Sequence, residues 1–229
     1  MIAHVDDKAI IEEQIEYYRR RAPEYDETSF PPGDPLAPYG HQLEKALERF
    51  RPSGRVLEIA SGTGAWTAYL LRHAATVTAL DSSAEMHDLS RTRLGNDPRV
   101  QYIQANVFSW EPDATYDVVF FANWLSHVPP SSFDRFWRIV RDALAPRGRV
   151  FLVDEAEDPW RNEELLREDF PEGPSVPVVR RSLGASGTFR IVKVFWRPKE
   201  LQSRLRELGW DVAIHVTGPF YWGEARRTR

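Results

Sequence analysis

Gly62 and Gly64, flanked in sequence by the acids Glu58 and Asp81, are the residues of this chain whose spacing most directly suggests chemistry. A short apolar run, Val56, Leu57 and Ile59, reads as a buried parallel strand. It breaks at Gly62-Thr63-Gly64, and a helical pattern opens at Ala65. Glycine at a strand-to-helix turn lets backbone approach a ligand where a Cβ would collide. A second run, Thr76 to Leu80, ends at Asp81, whose carboxylate could accept both hydroxyls of a ribose. Turn and acid together describe a nucleoside pocket.

A dinucleotide fingerprint would place a third glycine where Thr67 stands, just after the bulky Trp66. It would also bring a pyrophosphate toward Glu58, an acid aimed at the same turn. A carboxylate there repels a pyrophosphate and suits a zwitterion with an ammonium group. These features resemble motif I of the class I S-adenosyl-L-methionine (SAM)-dependent methyltransferases. The resemblance implies SAM as cofactor and S-adenosyl-L-homocysteine as product.

The elements that must position this turn alternate. Strands are expected at 55–60, 76–80, 100–104, 116–122 and 149–154, and helices near 65–74, 83–94 and 131–144. Four of these strands are apolar runs suited to the middle of a parallel sheet with helices on both faces. Ahead of them, Asp7 to Arg21 reads as an amphipathic helix with Ile10, Ile11, Ile15 and Tyr18 on one face, ending near Pro23. Ser29 to Pro38 is too rich in Pro and Gly for regular structure, and Tyr39 to Phe50 reads as a second helix. After Asp154 comes an insertion: an acidic loop, then Ser175–Leu183 and Thr188–Phe195 joined by GASG, a hairpin. A helix from Pro198 to Leu208 and strands at 211–217 and 219–225 complete the order. With the resemblance, this order implies an α/β, Rossmann-like methyltransferase fold. Its seven-stranded, mostly parallel sheet has an antiparallel last strand. Residues 1–229 are expected to form one domain, capped by helices in 1–50 and by the hairpin insertion at 155–197.

Composition sets the boundaries. A chain of 229 residues buries roughly 70% of its unfolded surface, enough for one core. No apolar run approaches the ~20 residues that span a bilayer, and the first seven residues have no signal-peptide character, so a cytoplasmic location is expected. No cysteine is present, which excludes disulfides, thiolate ligands and Cys nucleophiles. The six histidines lack metal-ligand spacing, and no metal is expected. A net charge of −4 gives no pull toward nucleic acid or anionic membrane.

Ligands of such sheets bind outside the carboxyl ends of the strands. That singles out the ends of four strands, Ala60–Gly64, Asp81, Ala105–Val107 and Ala122–His127, with Ser82, Asn106, Val107, Asn123, Trp124 and His127 as candidates there. Met86, one turn into the helix after Asp81, could pack on an adenine face or be ordinary core. Asn106 and Val107 could read an adenine edge. Tyr18 and Tyr25, in YYRRRAPEYD, could reach the methionine end of SAM, and Tyr18 equally fits its helix's apolar face. His127 could take a proton from an alcohol or amine, or donate to an oxyanion. Arg180, Arg181, Arg190 and Lys193 sit in strands that otherwise read as apolar, either as a solvated face or as cations converging on a small anion. Strand parity puts Arg190 and Lys193 on opposite faces.

The blocks YYRRRAPEYD, LEIASGTGAWT, VTALDSSAEM, WLSHVP and FRIVKVF together resemble the group containing the phosphonate O-methyltransferase of dehydrophos biosynthesis and its fatty-acid-esterifying relatives. The likeness runs from about Ile11 to Tyr221. It implies a small anionic methyl acceptor gripped by Arg181 and Lys193, with Arg180, Trp124 and a catalytic His127 nearby. A fatty-acid enzyme would instead need an apolar tunnel, for which Trp124, Trp160, Phe170 and Trp196 are candidates. The oligomeric state is left open.

Overall fold

The computed structural model describes residues 7–29, 33–156 and 177–228. The predicted alternation is present. Strands β1 (Gly54–Ile59), β2 (Ala74–Asp81), β3 (Val100–Gln104), β4 (Tyr116–Ala122), β5 (Leu144–Glu155), β8 (Trp210–Thr217) and β9 (Phe220–Arg227) form one seven-stranded sheet in the order β3-β2-β1-β4-β5-β9-β8. β1 to β5 pair in parallel, and β9 inserts antiparallel between β5 and β8. Helices α3 (Ala37–Phe50), α4 (Ala65–Leu70), α5 (Ala84–Leu94), α6 (Phe133–Ala143) and α7 (Pro198–Glu207) flank it.

Period-two alternation in apolar strands explains the two cores. In β4, Val119 and Phe121 face α6 and α7, packing with Phe136, Trp137, Leu201 and Leu205. Val118 and Phe120 face α3 and α4, packing with Leu47, Phe50 and Leu70. Chain order reverses between β1 and β4, so the crevice above their carboxyl ends opens there.

A separate cap lies over that crevice. It consists of α1 (Asp7–Arg21), the short α2 (Tyr25–Ser29) and a two-stranded hairpin, β6 (Val178–Ser182) and β7 (Thr188–Val192). α1 meets the hairpin through Tyr17, Val179, Leu183, Phe189 and Ile191, and Glu13 accepts from the backbone N–H and guanidinium of Arg190.

Several boundaries differ from expectation. α3 begins at Ala37 because Pro38 fits a helix's first turn, where a missing N–H costs nothing. α4 stops at Leu70, and β2 takes over from Ala74. Part of the stretch expected to be irregular is helical, since α2 runs to Ser29. Ser175 and the candidate tunnel residues Trp160 and Phe170 lie outside the described residues. Trp196 packs on Phe133 with ring centroids 4.7 Å apart, beside the main core.

Candidate functional site

The glycine turn after β1 is held from below. Ala60, Gly62 and Gly64 have φ of 54°, 52° and 80°. At Gly64 a Cβ would also collide with Ser90 of α5, so this glycine sets helix packing. A Cβ on Gly62 would meet nothing within 4 Å, and this residue lines a cavity of about 1060 Å³ at the crevice. Gly62 donates its N–H to Asp81 Oδ2 at 2.9 Å, while Asp81 Oδ1 accepts from Ser83 N–H at 2.9 Å. Burial raises the Asp81 pKa, opposed by these N–H donors.

Glu58 is not on the cavity wall. It lies 2% exposed beneath the turn, accepting from Thr67 Oγ1 at 2.6 Å, and burial pushes its pKa up to about 8. Thr67 is consumed by the same bond. Both were expected to meet the cofactor, and so was Gly64. None of the three lines the cavity; they brace the turn, and the residues after β1 that do line it are Ala60 and Gly62.

Beside Asp81, Ser83 caps α5 by accepting from the N–H of Met86. This fixes Met86, 3% exposed, against the cavity with Ser82, Asn106 and Val107. Asn106 Oδ1 accepts from Phe108 N–H at 3.0 Å, which closes the loop after β3 and leaves that oxygen a second lone pair. Trp66 and Ala60 complete this wall.

At the other end, α1, the loop after β4 and the hairpin converge. His127 Nδ1 lies 2.7 Å from the carbonyl of Val192, so Nδ1 carries the hydrogen and donates. Nε2 then accepts from Tyr18 O–H at 2.9 Å. Burial, reinforced by the positive charge of Lys193, lowers the His127 pKa to about 3. The ring is neutral at ordinary pH, with both nitrogens engaged. Tyr17, Tyr18 and Tyr25 all line the cavity, and Tyr18 also packs against the apolar cluster in which Tyr17 meets Phe189.

Arg181 and Lys193 line the same cavity, and Arg180 does not. Arg180 pairs across the hairpin with Arg190, and both are exposed on its outer side. Arg181 sits opposite Phe189 on the inner side, with Val179, Ile191 and Lys193. The parity argument thus holds for Arg190 and Lys193, and it moves Arg180 out of the site. Lys193 is 7% exposed, with its Nζ 2.8 Å from Glu155 Oε2 and 3.3 Å from Ser126 Oγ. Asn123, at φ 50°, and Trp124 complete this end, and Asn123 Oδ1 and Trp124 Nε1 are buried with no hydrogen-bond partner among the described residues.

Sequence reasoning missed Gln14 and the pair Asp154 and Glu155. Gln14 Nε2 donates to the carbonyl of His127 at 3.2 Å, and its Oε1 accepts from Val192 N–H at 3.1 Å. A lone amide among Ile10, Ile11 and Tyr17 on a buried helix face was a signal available in the sequence. Glu155 stands at the carboxyl end of β5, a fifth strand end to which the same rule extends.

A model described as a methyltransferase domain matches residues 56–148. The chain is similar to trans-aconitate 2-methyltransferase of Rhodopseudomonas palustris, 37% identical over 139 residues covering 52% of each chain. It spans about half the length of the curated relatives it matches. Among solved structures it superposes on a DhpI–SAM–HEP complex with a TM-score of 0.79 and 42% identity, over 97% of this chain and 100% of that one. A DhpI–SAH complex gives 0.78 and 41%, over 96% and 98%. The chain belongs to the class I SAM-dependent methyltransferases. As a methyltransferase it takes SAM as cofactor. No helix among the described residues of this methyltransferase is long and apolar enough to cross a membrane.

Proposed function

We propose that this methyltransferase transfers a methyl group to an oxygen of a small anionic acceptor, a phosphonate above all. The observation that carries the reading is the pair Arg181 and Lys193 on the inner face of the hairpin, lining the same cavity as Asp81 and Gly62. Similarity over nearly the whole chain to DhpI, solved with SAM and HEP, supports it. Asp81 would take the ribose, Met86 and Val107 the adenine, and the unpartnered Asn123 Oδ1 fits the cofactor's ammonium group. Glu58 and Thr67 would act through the turn they brace.

Bound SAM supplies a methyl already activated on a sulfonium, so an acceptor oxygen that is ionised near neutral pH needs no general base. The protein's part is proximity and orientation. Arg181 and Lys193 hold the anionic head, and Trp124, Tyr18 and Ile191 exclude water around it. His127 holds the Tyr18 hydroxyl in place, which makes it a positioning residue here rather than a base. One domain, with α1, α2 and the hairpin as its cap, suffices for this chemistry.

A carboxylate acceptor is the second reading, favoured by the similarity to trans-aconitate 2-methyltransferase. Incubation with SAM and a panel of small phosphonates, tricarboxylates, fatty acids and phenols, read by mass spectrometry, tests both. Phosphonate monomethyl esters are expected, and Arg181→Ala should raise the acceptor KM about tenfold or more with SAM affinity unchanged. Methylation of phenols alone would sink the anionic-acceptor reading.

A further inference from the structure

The cavity's buried cation is already ion-paired within the chain. Glu155 lines the cavity with Lys193 and Arg181, and its carboxylate takes the Lys193 ammonium at 2.8 Å. Asp154, fully buried behind them, is held by the N–H groups of Ser126 and Glu155 and so cannot turn toward the cavity. Among the described residues, the charged groups gathered here are Arg181 and Lys193 with Asp154 and Glu155. An anionic head arriving beside an unmoved, ionised Glu155 would meet like charge at contact distance. The two partners differ in freedom: the Glu155 side chain is 35% exposed and that of Lys193 is 8% exposed. The more exposed Glu155 is the partner that an arriving anion would displace, and the buried Lys193 is the one that would stay.

We infer that Glu155 is an internal competitor for the acceptor's anionic head, pairing with Lys193 until an acceptor displaces it. The inference rests on the anionic-acceptor reading above and adds an affinity threshold to it, common to every anion. Every anion must first displace a carboxylate that is tethered beside its target at high effective concentration. Bare inorganic phosphate brings charge alone and fails at that threshold. An acceptor with an apolar body gains contact with Trp124 and Tyr18 and passes it. Glu155 thereby keeps inorganic anions out of the methyl-transfer site.

The test is calorimetric titration of the full chain, saturated with S-adenosylhomocysteine, with inorganic phosphate and with phenylphosphonate. Glu155→Gln should bind both anions about tenfold more tightly than the wild type, the scale of one charge-assisted hydrogen bond. The gain should be equal for the two, because the contact displaced is common to both. Unchanged or weaker phosphate binding overturns the inference, as does a gain confined to one anion. If Lys193→Met abolishes phenylphosphonate binding while Glu155→Gln changes nothing, the anionic-acceptor reading stands and this inference alone falls. If neither anion binds wild type or variant, both fall. Should Glu155→Gln not fold, Glu155→Asp, whose carboxylate is one methylene further from Lys193, must show a smaller gain in the same direction, and no gain there is equally fatal.

Discussion

Two buried titratable side chains support this site with opposite consequences for pH. Burial holds the His127 imidazole neutral, its pKa lowered to about 3, whereas the same ring in an unfolded chain takes a proton near pH 6.5. Below pH 6.5 the unfolded state therefore binds the extra proton, and stability falls as the pH drops toward 3. The loss amounts to roughly 2 kcal/mol by pH 5. His127→Asn should flatten the acid limb of a curve of Tm against pH by about that much, and it should leave the shape of the kcat/KM profile near pH 6.5 unchanged, since any bend there belongs to the acceptor's own ionisation. A bend that the variant removes would restore His127 as a base. Glu58 behaves the other way. Its pKa is raised from 4.5 to about 8, so the native state keeps a proton that the unfolded chain gives up. Its contribution is complete below pH 4.5 and is lost as the pH rises toward 8. Glu58→Gln retains an oxygen for the Thr67 hydroxyl and removes that loss, so it should stabilise the cofactor-free protein by roughly 3 kcal/mol at pH 7. Denaturant titrations of the two proteins at pH 5 and pH 7 would show the difference, and a variant no more stable at the higher pH would contradict it.

At the scale of elements, Gln14 joins α1 to the hairpin and to the loop after β4 in one side chain. Gln14→Ala would leave the Val192 N–H and the His127 carbonyl unpaired in a buried place, at about 1–3 kcal/mol each. Because both groups flank the His127 ring, the expected effect is local. Hydrogen exchange should quicken in β7, and kcat/KM for the acceptor should fall about tenfold, while exchange in β1 and β4 stays slow. Uniformly faster exchange would mean that the amide serves overall stability instead. This contact also shows where sequence reading stops. The strands and helices of the sheet were legible because apolar periodicity is local, and the turn at Gly62 was legible because glycine spacing is local. Gln14 and Val192 are 178 residues apart, and nothing near either one announces the other. Arg180 and Arg181 are adjacent and chemically alike, so only the register of β6 against β7 decides which faces inward. Glu58 looked cofactor-facing by position, and its burial became visible only once Thr67 was seen to fold back over it.

At the scale of the whole molecule, the cavity has walls from two bodies. Asp81, Gly62 and Asn106 belong to the sheet's edge, and Tyr18, Tyr25 and Arg181 belong to the cap. The mostly parallel sheet with its antiparallel last strand was implied by the alternation of elements together with the family resemblance, whereas the meeting of the two bodies depends on long-range contacts. A ligand that touches both walls adds its binding free energy to folding and also ties the cap down. S-adenosylhomocysteine at a hundred times its Kd should stabilise the fold by about 2.7 kcal/mol, which for a domain of this size is a Tm increase of roughly 5–10 °C. The distribution of that gain is the sharper measurement. If the cofactor spans from Asp81 to Tyr18, amide exchange should slow both in the Gly62 turn and in α1 around Ile15 to Tyr18. β6 and β7 should slow further only when an anionic acceptor joins it. Slowing confined to the turn, with α1 unchanged, would mean that the cap takes no part in holding the cofactor, and Tyr18 would then belong to the acceptor alone.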